Sequence, residues 1–142
     1  MTQQLLESPV PLENMRVSQE ARDRLIQLKK KTGIGRWNTL CRWAVCRSLA
    51  EPSPPPVVQI PADSNVEMDW KTFAGPYSDL FIALLRLRCE TDRLPLDQGT
   101  LAIQFRLHLH RGIAYLAADR RIVDIASLIG LAIEKSRKSQ TS

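Results

Sequence analysis

The segment Arg16–Leu49, which reads RVSQEARDRLIQLKKKTGIGRWNTLCRWAVCRSL, predicts a short strand, a helix, a tight turn and a second helix. Ser18 is placed to cap the first helix, because its hydroxyl can accept a hydrogen bond from a free N–H of the first turn. Three apolar residues then follow at helical spacing, namely Ala21, Leu25 and Leu28. Gly33 is placed to end this helix, since glycine readily adopts the left-handed conformation found at many helix C-termini. The second helix is predicted to begin at about Trp37.

Alternation along Asn14–Ser18 predicts a strand with two unlike faces. One face carries Met15 and Val17, and the other carries the polar residues Asn14, Arg16 and Ser18. A strand followed by a helix-turn-helix pair is the order of elements in ribbon-helix-helix proteins, whose strand pairs with the same strand of a second subunit. The order is common among small proteins, and it points only in a general way to nucleic acid.

Positive charge is concentrated in the first third of the chain. Residues 1–51 contain nine Lys or Arg and five Asp or Glu, a net charge of +4, whereas residues 52–142 contain eleven and ten, a net charge of +1. On a projection of the first helix the cations flank the apolar stripe in pairs seven residues apart, Arg22 with Lys29 and Arg24 with Lys31. Such a row suits a phosphate backbone, and a solvated helix with a basic last turn gives the same pattern.

Two predicted helices are apolar on more than one side. Only Arg42 and Arg47 interrupt the apolar circumference of the second helix, and such a helix is usually buried on several sides. A later helix, at about Gln98–Ala118, carries two apolar stripes on nearly opposite sides. Both patterns favour an oligomer in which these helices contact another copy of the chain.

The sequence predicts one mainly α-helical domain over residues 14–133, preceded by a flexible N-terminal arm over residues 1–13. Five prolines in residues 52–61 predict an extended connector, because proline lacks an amide proton and fixes φ. The basic residues 134–142 predict a disordered tail. The fold class is therefore a short strand, a helix-turn-helix pair of ribbon-helix-helix type, and about three further helices.

Apolar periodicity places the further helices at about Tyr77–Thr91, at about Gln98–Ala118 and, over about three turns, at residues 122–133. Before them, Met68–Phe73 predicts a short strand. The helix at Tyr77–Thr91 is expected to bury a broad face that carries Leu80, Phe81, Leu84, Leu85 and Leu87. Arg88 projects into that face, and we expect its charge to reach water at the helix edge in preference to pairing with Asp92.

Composition indicates a cytoplasmic protein. The chain has no apolar run of about eighteen residues, and its N-terminus lacks the charged and apolar regions of a signal peptide. Three cysteines, an odd number, lie within apolar helical patterns. They predict buried, reduced thiols at Cys41, Cys46 and Cys89.

The residue types of catalytic and metal sites do not come together in the sequence. His108 and His110 are two residues apart on a helix, so they point to different sides and cannot share a metal as an i, i+4 pair would. Cys41 and Cys46 do not form a CxxC motif, and the two glycines of Thr32–Arg36 do not form a phosphate-binding loop. We therefore expect no catalytic residue, no metal and no cofactor.

Several short motifs occur in a fixed order within residues 14–131. They are Arg16-Val17-Ser18 with Leu25, Leu28-Lys29 with Thr32-Gly33-Ile34, Leu40-Cys41-Arg42 with Ser48-Leu49, the run Tyr77–Arg86, and Gln104-Phe105-Arg106 with His108 and Arg111-Gly112. Together these motifs resemble the DndE family, the small DNA sulfur modification proteins that accompany DNA phosphorothioation enzymes. The segment Gly35–Trp37 departs from the family pattern, which tends to a Thr-Pro-like turn there, and the chain beyond Leu131 has no clear counterpart.

The resemblance implies a mainly helical homotetramer that binds double-stranded DNA through surface lysines, with a preference for nicked duplex. It also implies partnership with the sulfur-transfer and ATPase components that replace a non-bridging phosphate oxygen by sulfur. The matching basic cluster in this chain is Lys29, Lys30 and Lys31, and the helical projection adds Arg16, Arg22 and Arg36 as candidate DNA-binding residues.

The leading hypothesis is a non-catalytic DNA-binding subunit of a DNA phosphorothioate modification complex. The alternative is a sequence-specific ribbon-helix-helix transcriptional regulator, with Asn14, Arg16 and Ser18 reading bases from a paired ribbon. A third hypothesis is an assembly adaptor whose basic face contacts an acidic partner.

Overall fold

The computed structural model describes the backbone of residues 10–141 and the side chains of residues 10–134. The protein is mainly helical and forms one domain. In chain order its elements are β1 (Asn14–Arg16), α1 (Gln19–Thr32), α2 (Trp37–Leu49), β2 (Glu67–Asp69), α3 (Trp70–Ala74), a single 3₁₀ turn (Gly75–Tyr77), α4 (Ser78–Thr91), α5 (Gln98–Ala118) and α6 (Ile125–Thr141).

The caps that the sequence predicts for α1 are confirmed. The Ser18 hydroxyl accepts a hydrogen bond from the Ala21 N–H at 3.1 Å. Gly33 adopts a left-handed φ of 75°, and its N–H donates to the Lys29 carbonyl at 2.9 Å. An L side chain at this φ would be strained, so the glycine fixes where α1 ends and where the loop to α2 begins.

The strand β1 pairs within its own chain, unlike the strand of ribbon-helix-helix proteins, which pairs with a second subunit. It runs antiparallel to β2, with Met15 opposite Met68. The outer edge of β1 is also occupied, because the Arg106 guanidinium donates to the Arg16 carbonyl at 2.7 Å. A ribbon shared between two subunits would have to displace this contact.

The prediction of a strand over Met68–Phe73 holds for Met68 and Asp69 and is wrong from Trp70 onward. The chain turns into α3 at Trp70, because the Asp69 carboxylate accepts a hydrogen bond from the Thr72 N–H at 2.7 Å and so caps a helix. The short helix carries Trp70 and Phe73 into an aromatic cluster in the core. Neighbouring rings of this cluster have centroids 4.9 to 5.3 Å apart, and the members are Trp70, Phe73, Phe81 and Phe105.

Helix α5 packs on α2 at the centre of the domain. The buried side of α2 is formed by Leu40, Cys41, Ala44, Val45 and Ser48, and the partly buried Trp43 and Leu49 also pack on the core of the same chain. Most of the apolar circumference of α2 is thus covered within one copy, and Cys46 is its exposed member. On the second stripe of α5, Leu107 is buried whereas Ile103 is 57% exposed.

Helix α4 buries a narrower face than the sequence predicts. Leu80 and Leu87 are exposed, and the buried residues are Phe81, Ile82, Leu85, Arg88 and Cys89. The exposed leucines lie outside the contact with α5, because the packed face of a helix covers only part of its circumference.

Arg88 is buried and paired, so the expectation that its charge reaches water is wrong. Its Nε donates to Asp92 at 2.9 Å, and its two Nη atoms donate to main-chain carbonyls of Leu49, Pro52 and Ser53. Four acceptors converge on one guanidinium where α2 ends and the connector begins. This supply of acceptors explains why the charge can stay in the interior.

The structure describes part of the predicted N-terminal arm and part of the predicted C-terminal tail. Of the arm predicted over residues 1–13, residues 1–9 lie outside the described part of the chain. Pro11 is fully buried, and the Val10 carbonyl accepts from the Gln98 side chain at 3.0 Å. At the other end α6 continues to Thr141, into the segment for which the sequence predicts a tail. Among the described residues no helix is long and apolar enough to cross a membrane.

Candidate nucleic-acid interface

The end of α1 and the beginning of α2 form a basic corner, which consists of Lys29, Lys30, Lys31 and Arg36. The three lysines occupy the last turn of α1, and Arg36 is the N-cap residue of α2. Lys30, Lys31 and Arg36 are exposed. Within residues 10–134, no hydrogen bond or ion pair engages these three side chains. Three positive charges therefore face solvent within a few residues of one loop.

Lys29 has a different environment from its neighbours. Its ammonium lies 4.0 Å from the centroid of the Trp37 ring, and its side chain is partly buried. A cation over an indole face is attracted by the ring quadrupole. Lys29 thus ties the end of α1 to the first residue of α2 and fixes the shape of the basic corner.

Helix dipoles contribute to the electrostatics of this corner. No side chain caps α2, and its first turn contains no acidic residue. The positive end of the α2 dipole therefore adds to the charge of Arg36. At the same place the lysines stabilise the negative end of the α1 dipole, which gives them a structural role as well.

Arg16 and Arg22 do not join the basic corner. Arg16 donates to the Glu67 carboxylate at 2.8 Å and to the Ser64 carbonyl at 2.8 Å. Arg22 lies 3.8 Å from the carboxylate of Asp23. Arg16 also precedes the 14 residues of α1, which span about 20 Å. Of the six candidate residues, four lie at the corner and two are engaged in ion pairs elsewhere.

A polar cluster lies between α2 and α5, and it was not predicted from the sequence. The Ser48 hydroxyl lies 2.8 Å from His108 Nδ1 and accepts from Arg111 Nε at 2.8 Å. Arg111 also donates to the main-chain carbonyls of Ser48 and Ser53. The only hint in the sequence is a serine on the buried side of an apolar helix, since buried hydroxyls require partners.

The two histidines serve separate contacts. His110 is held between the Arg106 carbonyl, 2.9 Å from Nδ1, and the Ser18 N–H, which donates to Nε2 at 3.2 Å. His108 is fully buried, and its Nε2 has no hydrogen-bond partner among the described residues. Burial, with smaller contributions from Arg88 and Arg111, lowers the pKa of His108 to about 4. The ring is therefore neutral at pH 7.

We expect the stability of the protein to fall as the pH is lowered from 7 towards 4. The pKa of His108 is about 4 when folded and 6.5 unperturbed, so between these values the unfolded chain binds more protons. The stabilisation that results from the lowered pKa of His108 is fully present above pH 6.5. It is lost as the pH falls from 6.5 to about 4. Urea unfolding at several pH values measures the loss, and His108→Gln should flatten the profile. An unchanged profile in this variant would contradict the assignment.

The cysteines divide into two environments. Cys41 and Cys89 are buried, as predicted, and burial raises the pKa of Cys41 to about 12. Cys46 is exposed, which corrects the expectation that all three thiols are buried. It lies on the side of α2 that α5 does not cover.

The comparisons with known proteins place the chain in a family. A family model described as "DNA sulphur modification protein DndE" matches residues 14–124, which is most of the chain. The protein therefore belongs to the DndE family, which confirms the resemblance seen in the sequence. The family is involved in DNA phosphorothioation. The match ends one residue before α6 begins.

Solved structures of this family share the fold. The crystal structure of DndE from Escherichia coli B7A, a protein involved in DNA phosphorothioation modification, is 26% identical with a TM-score of 0.62, and the match covers 73% of this chain and 95% of that one. A mutant of DndE is 22% identical with a TM-score of 0.59, and the match covers 75% and 98% of the two chains. The comparison with curated protein sequences found no match.

Proposed function

We propose that the protein is a non-catalytic subunit of a DNA phosphorothioation system that binds duplex DNA through the basic corner. The observation that carries the proposal is the exposure of Lys30, Lys31 and Arg36 with no intramolecular partner in the described part of the chain. Unpaired cations on one loop can neutralise neighbouring phosphates and release their counterions. Membership of the DndE family supplies the biological setting.

Contact with the DNA backbone fits this surface better than base reading does. Lysine is a flexible point charge, whereas readout of guanine or adenine uses bidentate Arg, Asn or Gln side chains. The alternative of a ribbon-helix-helix regulator loses support, because β1 pairs with β2 and Arg16 is engaged with Glu67. The polar face of the strand is thus not free to enter a groove.

The geometry of the polar cluster supports a non-catalytic role. Ser48 and His108 lie 2.8 Å apart, the separation of a nucleophile and its base. Both residues are 0% exposed, so no substrate can reach the hydroxyl. The hydrogen bond between Ser48 and His108 is better explained as a contact that holds α2 against α5.

Replacing Lys30, Lys31 and Arg36 by alanine together is expected to weaken duplex binding at least about tenfold at low salt, and similarly for unrelated sequences. The slope of log K against log salt should fall in magnitude by roughly 2 to 3, because each lost phosphate contact removes about 0.9. Fluorescence anisotropy from about 50 to 200 mM salt measures both quantities. The matched control is Arg16→Ala with Arg22→Ala, which removes charges that already have partners and should change the slope less.

The same titration with intact, nicked and single-stranded DNA of one sequence tests the preference for a nick. Nicked duplex is expected to bind more tightly than intact duplex. A flat salt dependence for the wild type would refute backbone binding. Failure to bind any DNA at low salt, with retained binding to the modification complex, would select the assembly adaptor instead.

We further propose that the protein works in the cytoplasm as a homotetramer beside the sulfur-transfer and ATPase components. Exposed apolar side chains support assembly, because such groups gain by leaving water. They lie on α4 and α6 and include Leu80, Leu87, Ile125, Ile129 and Ile133. Sedimentation equilibrium at micromolar concentration measures the mass, and the mass of a single chain would refute the tetramer.

A further inference from the structure

We infer that the DNA-binding surface continues from the basic corner across the first turn of α2 to Lys71, in the first turn of α3. This inference rests on the proposed function. None of the candidate residues predicted from the sequence lies in α3, so the inference adds this helix to the surface. It is based on the contacts that join α1, α2 and α3.

Side-chain contacts hold the beginning of α3 against the beginning of α2. The Asn38 amide donates to the Thr72 carbonyl at 3.0 Å, and Arg42 Nη1 donates to the Phe73 carbonyl at 3.1 Å. On the other side Lys29 covers the ring of Trp37. The end of α1, the start of α2 and the start of α3 thus form one continuous surface with Asn38 near its middle.

Lys71 has the properties of the exposed cations at the basic corner. It directly precedes Thr72 in the chain, and its side chain is exposed. Among residues 10–134, no ion pair or hydrogen bond involves its ammonium. The nearby Asp69 carboxylate is used to cap α3 through the Thr72 N–H. Hydrogen bonds from Thr72, and after them the charge of Lys71, lower the pKa of Asp69, but the Lys71 ammonium forms no ion pair with that carboxylate and can contact an external anion.

The two segments that form the surface between these cations contain no acidic residue. Residues 24–50 contain no Asp or Glu, and neither do residues 70–78. The exposed or partly exposed positions between the lysines and Lys71 are neutral, as at Gly33, Gly35, Asn38 and Thr72. Along this path a phosphate backbone meets no carboxylate from residues 24–50 or 70–78, and the Asp69 carboxylate beside Lys71 already accepts the Thr72 N–H, which favours a contact by Lys71 over one by an isolated surface lysine.

The test is Lys71→Ala in the full chain, measured by the same salt titration with intact duplex. We expect affinity to fall a few fold and the salt slope to decrease in magnitude by about 0.9, the value for one lost phosphate contact. Lys71→Glu should weaken binding further. Lys71 is exposed, so both variants should keep the far-ultraviolet circular dichroism spectrum and melting temperature of the wild type.

Arg93→Asn is the matched control, because it also removes one exposed positive charge. Arg93 follows the last turn of α4, where Arg88 donates to the Leu49 carbonyl at the C-terminal end of α2. The 13 residues of α2 span about 20 Å, so this end lies far from the surface proposed to bind DNA. Its φ of 59° is left-handed, a conformation that asparagine tolerates. We expect this control to leave the salt slope unchanged.

Three outcomes separate this inference from the function on which it rests. A wild-type slope in Lys71→Ala, together with a reduced slope in the variant of the basic corner, overturns the extension to α3 and leaves the proposed function intact. A flat salt dependence of the wild type overturns the proposed function itself. Equal losses in Lys71→Ala and Arg93→Asn would show an effect of net charge alone and would also overturn the extension.

Discussion

Gly112→Ala is expected to destabilise the protein by about 3 kcal/mol or more, because overpacking of a core typically costs about 1 to 3 kcal/mol and here the obstacle is main chain. A Cβ atom at Gly112 would lie 1.7 Å from the Ala44 carbonyl oxygen and 2.3 Å from the Ala44 carbonyl carbon. No rotamer change can relieve this overlap. Helices α2 and α5 would have to separate along the contact that organises the core.

Thermal unfolding measures the effect, and a decrease in melting temperature on the order of 10 °C is expected. Gly130→Ala is the matched control, since a Cβ there meets nothing within 4 Å and α6 should gain about 0.5 to 1 kcal/mol of helix stability. Ala44→Gly should not rescue Gly112→Ala, because it leaves the Ala44 main chain in place. A Gly112→Ala protein as stable as the wild type would contradict the close approach of these helices.

Arg88→Met is expected to cost about 3 to 5 kcal/mol, the usual penalty for breaking a buried ion pair from one side. The substitution leaves the Asp92 carboxylate, whose side chain is 6% exposed, without its cation. It also removes the donor from the carbonyls of Leu49 and Pro52. Each unsatisfied buried acceptor adds to the cost.

Urea unfolding of a double-mutant cycle isolates the ion pair. Arg88→Met combined with Asp92→Leu should cost less than the sum of the single variants by about 1 to 3 kcal/mol, because no buried charge remains in the double variant. Arg86→Met on the same helix is the control and should change the free energy of unfolding by less than about 0.5 kcal/mol. Strictly additive costs would show that Arg88 and Asp92 do not stabilise one another.

Helix positions could be predicted from the sequence because local signals determine them. Ser18, Gly33 and the apolar spacing between them define α1 without reference to any distant residue. The partner of β1 could not be predicted in the same way. Two strands of three residues each meet across about fifty residues of chain, and nothing in either strand specifies the other. The short helix α3 was not predicted, because five residues are too few to show a helical periodicity.

The candidate site shows the same division between local and distant signals. Exposure of Lys30, Lys31 and Arg36 follows from their positions at a helix end and in a turn. The ion pair of Arg16 with Glu67 joins residues 51 positions apart, so the sequence could not show that this arginine is engaged. The contacts of Arg88 and Arg111 are likewise made to carbonyls that only the folded chain brings near.

Three guanidinium groups hold the connector at residues 52–61, and all of them bind its main chain. Arg88 and Arg111 both donate to the Ser53 carbonyl, and Arg106 donates to the Ile60 carbonyl at 3.1 Å. A peptide carbonyl is the same acceptor whatever side chain its residue carries. The connector can therefore change its residue types through evolutionary drift and stay anchored at both ends, whereas loss of Arg106 removes the contact at Ile60 and loss of both Arg88 and Arg111 removes the contacts at Ser53.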